Sequence, residues 1–218
     1  MLGFILSLPV GCAQRRSVFG KTPPPALYDG NWHPPSAAKD ETKDFAVDLS
    51  AKVIQAGDMA DKRLVAPQFQ GATLVNASFE NGKLLSPVFD KARIVRGRFV
   101  GADVREGSFR DADHRFANFN HAVLERANFD AANLTRSVFQ FSKLRRASFA
   151  GTNLAHADFR GADLRDAVFM NADLRWADFR GANIEGARFI SSQLSGTKFS
   201  DPGKQENAAR MNLSMAIP

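Results

Sequence analysis

Seven residues of this chain have the chemistry to hold an anionic or planar partner: Arg96, Arg115, Phe116, Arg136, His156, Arg175 and Trp176. A guanidinium bonds phosphate or carboxylate through two parallel N–H groups, and rings stack on flat ligands. All seven lie in the two positions that follow Leu74, Ile94, His114, Leu134, Leu154, Leu174 and Leu194, and none of those fourteen positions holds Asp or Glu. The neighbouring cations Arg160 and Arg180 extend the set. The alternative is a solubilising surface in which Arg lies over rings through cation–π contacts. Catalysis has less to draw on. His33, His114, His121 and His156 lack metal-ligand spacing. There is no phosphate-binding glycine loop and no nucleophile elbow. No catalytic, cofactor or metal site is expected.

The elements that position these residues follow from a repeat. Phe occupies every position ending in 9 from Phe69 to Phe199. Positions ending in 4, from Leu64 to Leu194, are aliphatic except His114. Two residues before these centres, 27 of 28 residues are small or Pro, Lys62 being the exception. A helix would smear a five-residue period around its surface, and a strand would alternate it between faces. The chain must therefore turn once per unit. Asp or Asn precedes the centre in 11 of 28 units, where its side chain can bond a turn, so Asp158, Asp163, Asp173 and Asp178 read as turn residues. Gly follows two residues after the centre in 7 units, as at Gly101, Gly161 and Gly181, where positive φ costs little. The Leu/Phe alternation requires an even number of sides. Four sides give seven coils, a rod roughly 34 Å long at the usual strand spacing.

Ala102-Asp103-Val104-Arg105-Glu106, Ala162-Asp163-Leu164-Arg165-Asp166 and Ala182-Asn183-Ile184-Glu185-Gly186 resemble the A(D/N)Lxx pattern of the pentapeptide-repeat family. The resemblance runs from Asp61 to Ser200. It implies an all-β, right-handed quadrilateral β-helix of about seven coils, with the centre and the small residue inward. Family members differ widely in function, so the resemblance implies little about activity.

The organisation expected is a signal segment over 1–12, a Pro-rich linker over 13–43, an N-terminal cap over 44–60, the β-helix over 61–200 and a C-terminal cap helix over 201–218. The cap at 44–60 reads as a short helix or an irregular first coil, since Ile54 and Met59 keep the register. The C-terminal segment, with Ala208, Met211 and Met215 on one face, caps the rod or makes a homodimer contact. Leu8-Pro9-Val10-Gly11-Cys12 resembles a bacterial lipoprotein processing box, which implies lipidation at Cys12. Pro9 and the extra residue between Leu8 and Cys12 depart from that pattern, as does the early pair Arg15 and Arg16. The same resemblance, with Ala13 rather than the inner-membrane-retaining Asp after Cys12, implies the outer membrane, facing the periplasm. The alternative is a cytoplasmic protein.

The chain has 218 residues, 29 basic against 23 acidic, and a single cysteine, which excludes an intrachain disulfide framework. The expected function is a non-catalytic interaction scaffold, lipid-anchored in the envelope, that presents a rigid face to a protein or an anionic glycan. The alternative is a cytoplasmic protein that binds nucleic acid, or a nucleic-acid enzyme, through its basic face. Quinolone-resistance members of the family mimic DNA with a negative rod. Here the repeat carries 21 Lys or Arg against 15 Asp or Glu, the wrong sign for mimicry. A third alternative, a polysaccharide-cleaving enzyme, would need an acid–base pair in a groove. His114 is expected to be buried with a local hydrogen-bond partner, or turned outward in a distorted coil.

Overall fold

The computed structural model describes residues 47–55 and 58–200. In each five-residue unit, the residue before the centre joins a ladder and the two after it form a corner. Every ladder partner lies twenty residues away and runs parallel, as in Asp103 with Val123 and Lys143 with Asp163. Four units therefore close one coil. A chain returning to a parallel neighbour in the same sheet winds right-handed. The rod is a right-handed quadrilateral β-helix.

The backbone of a typical unit is bonded through four N–H groups. The residue before the centre donates to the carbonyl twenty-one residues back, as from Asp103 to Gly82 at 2.8 Å. The centre N–H donates to the carbonyl nineteen residues on, as from Phe99 to Asn118 at 2.7 Å. The second corner residue does the same, as from Gly101 to Asn120 at 2.9 Å. The small residue closes the turn, as Ala102 N–H on the Phe99 carbonyl at 3.0 Å. Every described residue in the second corner slot, from Ala51 to Gly196, has positive φ. Glycine fills only some of these slots. Arg, Phe, His and Trp are held in the same left-handed conformation, which costs about 1–2 kcal/mol each in isolation. The ladder over-determines the corner and holds them there.

The first coils differ. Four short strands occur there: β1 (Val53–Gln55), β2 (Arg63–Val65), β3 (Thr73–Val75) and β4 (Lys83–Leu85). β1 pairs with β3 and β2 with β4, both parallel. Pro67 and Pro87 sit where the turn after Leu64 and Leu84 needs an N–H donor, and Pro has none. β2 and β4 run further before bending; β3 does so too, although Ala77 in its turn slot keeps an N–H. The coil register also begins before Asp61: Asp48 bridges Gln68, Asp58 bridges Ser78, and Ile54 and Met59 are buried in the core. The described part of 44–60 is thus coil rather than helix.

Four inward columns form the core, in the order Leu64–Ile184, Phe69–Phe189, Leu74–Leu194 and Phe79–Phe199. Rings within a Phe column stack one coil apart, at 4.6 Å between Phe69 and Phe89 and 4.9 Å between Phe139 and Phe159. Rings from the two opposite Phe columns meet edge to face, as Phe139 and Phe149 do at 6.1 Å and 85°. Both geometries are favourable for aromatic pairs. From Phe69 to Phe189 these rings are buried, so a Tyr hydroxyl would lack a partner. That accounts for Phe alone. Ser and Thr in the small slot return their hydroxyls to backbone, as Ser137 to the His114 carbonyl at 2.9 Å and Thr152 to the Phe129 carbonyl at 2.7 Å.

His114 meets neither expectation. It is fully buried, and neither ring nitrogen has a hydrogen-bond partner. Its coil is undistorted, with the His114 N–H bonded to the Asn133 carbonyl at 2.9 Å. The imidazole fills a leucine's place among Phe89, Phe99, Phe109 and Phe119, with centroids 5.4 to 6.2 Å away. Burial pulls its pKa down to about 3, against a small opposing pull from Asp113.

Candidate docking surface

The seven predicted surface residues occupy one corner of the rod, between the Leu74–Leu194 and Phe79–Phe199 faces. Arg96, Phe116, Arg136, His156 and Trp176 all fill the second corner slot, so they climb the rod as one column, one per coil. Arg96 lies over the Phe116 ring at 5.9 Å. His156 and Trp176 are near-parallel, 11° apart, with centroids 6.4 Å apart. Phe116 is 43% exposed and Trp176 57%. Arg136 has no ion-pair partner among the described residues.

Arg115 and Arg175 belong to the first corner slot and behave differently. Arg115 grips Asp113 through Nε at 2.8 Å and Nη2 at 2.9 Å. Arg175 grips Asp173 at 2.9 and 2.7 Å. The residue before the centre and the residue after it share a side of the strand, so an Asp and an Arg two apart close a bidentate fork. Partial burial pushes the Asp113 carboxyl up, but the Arg115 hydrogen bonds and charge outweigh it and hold the group below the usual carboxylate range. The side-chain hydrogen bond from Arg175 likewise holds Asp173 low. Reading only the corner slots missed these counter-ions. The signal was present as Asp-x-Arg within a unit.

The same fork recurs at Asp158 with Arg160, Asp163 with Arg165 and Asp178 with Arg180. Asp and Asn also accept the corner N–H two residues on, as Asp178 from Arg180 at 3.0 Å and Asn118 from Asn120 at 3.0 Å. Their role as turn residues is thereby met. On the corner after Leu64–Ile184, charges ladder across coils. Arg126 reaches Glu106 at 3.1 Å, and Arg145 and Arg146 approach Asp166 at 3.8 and 3.7 Å. A cleft of about 200 Å³ lies among Arg105, Glu106, Glu125, Arg126, Arg145 and Arg146.

One surface aromatic escaped the sequence reading. Phe141 is 57% exposed on the corner after the Phe79–Phe199 face, with His121 stacked at 5.3 Å and 15°. It follows a core column and looks like one more Phe among many. The clue was Gly161, twenty residues on. A Cβ there would stand 2.6 Å from the Phe141 ring. Trp176 repeats the device over Gly196. Cys12, the linker with Tyr28 and Trp32, and the segment 201–218 lie outside the described residues. Among the described residues no group of His, Cys, Asp and Glu could hold a metal ion.

The coil geometry defines a quadrilateral β-helix, and its sequence identifies the repeat. Residues 113–189 match the family model for the pentapeptide repeat region, and the chain carries that repeat. Solved structures similar to it include a pentapeptide repeat protein from the Arabidopsis thaliana thylakoid lumen, 21% identical over 50% of this chain and 75% of that one, TM-score 0.48. HetL, a pentapeptide repeat protein involved in heterocyst differentiation regulation in Nostoc sp. strain PCC 7120, is 21% identical over 71% and 77%, TM-score 0.27. Full-length QnrB1, a plasmid-mediated fluoroquinolone resistance protein, is 15% identical over 80% and 100%, TM-score 0.34. No curated protein matches the chain.

Proposed function

We propose that this chain is a non-catalytic interaction scaffold whose rigid rod docks a partner along the corner column Arg96, Phe116, Arg136, His156 and Trp176. The observation that carries the reading is the chemistry of the surface carboxylates. Asp113, Asp158, Asp163, Asp173 and Asp178 are all held below the usual carboxylate range. Each is engaged by its own arginine. Carboxylates locked in that way are poor proton donors, whereas general acids need a raised pKa. What the rod offers is a fixed surface. Arg115 and Arg175, already neutralised, contribute shape rather than charge, which weakens the nucleic-acid alternative.

The second part of the proposal is attachment. The Leu8–Cys12 box would place a lipid on Cys12, and the linker over 13–43 would hold the rod off an envelope surface, the outer membrane on its periplasmic side. Stable anchoring would follow from more than one acyl chain. The test is fractionation of the native host. Cys12→Ser should release the chain from membranes. In the Cys12→Ser chain, residual retention on the envelope should fall when Phe116 and Trp176 are both changed to Ala. Membrane association that ignores Cys12→Ser removes the anchor. Retention that ignores the corner variants removes the docking column.

A further inference from the structure

We propose that the Phe79–Phe199 face is a platform for an uncharged glycan strand. The proposal rests on the scaffold reading and names the ligand class for this face. Three aromatic side chains are strongly exposed among the described residues: Phe116, Phe141 and Trp176. All three stand on the two corners that bound this one face. Phe116 and Trp176 lie on the corner entering it and Phe141 on the corner leaving it. The other two corners carry no aromatic residue from Ser50 to Ser191 in the described chain. The rings are also held in place. Phe141 lies over Gly161 against His121, and Trp176 lies over Gly196 against His156. A ring immobilised beforehand loses little freedom on binding.

Between the corners the face is mostly polar, and its charges close on one another except Lys198 at its end. Asn118, Asn120 and Gln140 occupy its lower part. Above them stand the forks of Asp158 with Arg160 at 2.7 Å and Asp178 with Arg180 at 2.6 Å. Gln140 donates to Asp158 at 2.7 Å, joining amide and fork. Planar groups that pair a donor with an acceptor suit neighbouring sugar hydroxyls, which both donate and accept. Exposed rings suit the apolar C–H faces of a pyranose. Rungs repeat every ~4.8 Å, about the length of one sugar in an extended chain.

Two other ligand classes fit less well. A nucleic-acid strand needs a groove of uncompensated cations beside its stacking rings. Here Arg160 and Arg180 are each closed on an aspartate, and Arg98 is closed on Glu80 at 2.7 Å. The cations without an ion pair among the described residues, Arg96 and Arg136 on the entering corner and Lys198 at the end of the face, are scattered singly and line no groove. A protein interface puts its aromatic anchors at the centre within a polar rim. This face inverts that layout. Its centre is polar apart from half-buried Val100 and Val138, and its rings stand at the edges.

The experiment titrates the purified full chain with chitohexaose, cellohexaose and a single-stranded oligodeoxynucleotide, by calorimetry and tryptophan fluorescence, at low and high salt. The expected result is salt-insensitive binding of a neutral oligosaccharide that weakens roughly tenfold or more in Phe141→Ala and in Trp176→Ala. Leu85→Ala, on a remote corner, should leave it unchanged. All three side chains are exposed, and circular dichroism verifies that each variant folds. The proposal is overturned if neither oligosaccharide binds, if binding ignores both ring variants, or if only the oligonucleotide binds and salt abolishes it. It is also overturned if a host protein holds the face and neither sugar competes. In each of these cases envelope retention through the corner column can persist, so the scaffold reading stands or falls separately.

Discussion

Replacing His114 by Leu should stabilise the rod, and more so in acid. At neutral pH the native imidazole is buried among four Phe rings with both nitrogens unpartnered. An unsatisfied buried polar group costs about 1–3 kcal/mol, and a Leu of similar volume in a Leu column avoids that cost. Proton linkage adds a second contribution. The native pKa is about 3, whereas an unfolded His titrates near 6.5. A depressed native pKa means that stability is fully present above about pH 6.5 and is lost as pH falls toward the native value. At pH 5 the unfolded chain holds a proton that the folded chain refuses, worth about 2 kcal/mol at 1.36 kcal/mol per unit. Denaturant unfolding of both proteins at pH 7 and pH 5 measures the gap between them. His114→Leu should be the more stable at pH 7 by about 1–3 kcal/mol, and the gap should widen by about 2 kcal/mol at pH 5. A gap that does not widen would mean that the native imidazole takes up a proton in place, and a destabilised variant would mean that it has a partner. Either result refutes the argument.

Other consequences follow from the same packing. Phe139→Ala, which removes a ring stacked 4.9 Å from both Phe119 and Phe159, should cost about 3–5 kcal/mol in chemical unfolding. Gly161→Ala should lower the melting temperature, since the slot has a φ of 67° and the new Cβ meets the Phe141 ring; the left-handed conformation alone costs about 1–2 kcal/mol. Asp173→Asn should leave the melt nearly unchanged but release Arg175, so retention on a heparin column should rise at low salt. Arg165→Gln should shrink the loss of stability below the usual carboxylate range. Asp163 is held low chiefly by the Arg165 hydrogen bond, and that stabilisation is present above the unfolded carboxylate pKa and disappears as pH falls through the native one. Melts across that acid range in both proteins would show it.

The coil was legible because its constraint is local and repeats. A five-residue period that suits neither helix nor strand leaves only a chain that turns once per unit, and Phe against Leu counts the sides. The corner conformation was legible only in part. Gly101 or Gly181 signals positive φ by itself, but Arg96, Phe116 and Trp176 adopt it because the ladder bonds on both sides impose it. Nothing in those residue types announces that. The wider corners after Leu64 and Leu84 could have been read from Pro67 and Pro87, which lack the donor that every tight turn here uses; Ala77 gives no such sign for the corner after Leu74. His114 was legible as an exception. Its lack of a partner was not, because the Asp113 carboxylate beside it in sequence points outward to Arg115.

The candidate surface shows why counting charge by slot misleads on a β-helix. Fourteen corner positions without an acid looked like a basic face. The residue before each centre emerges on the same side as the first corner residue, so Asp113 and Asp173 neutralise that face from outside the counted set. What persists after pairing is a column with Arg96 and Arg136 as its arginines, and rings that mark both edges of the adjoining sheet. On the corner after Leu64–Ile184, Arg145 and Arg146 lie 3.8 and 3.7 Å from Asp166. A ligand that lies between Phe116, Phe141 and Trp176 would bind by ring stacking and hydrogen bonds, and its affinity should be indifferent to salt.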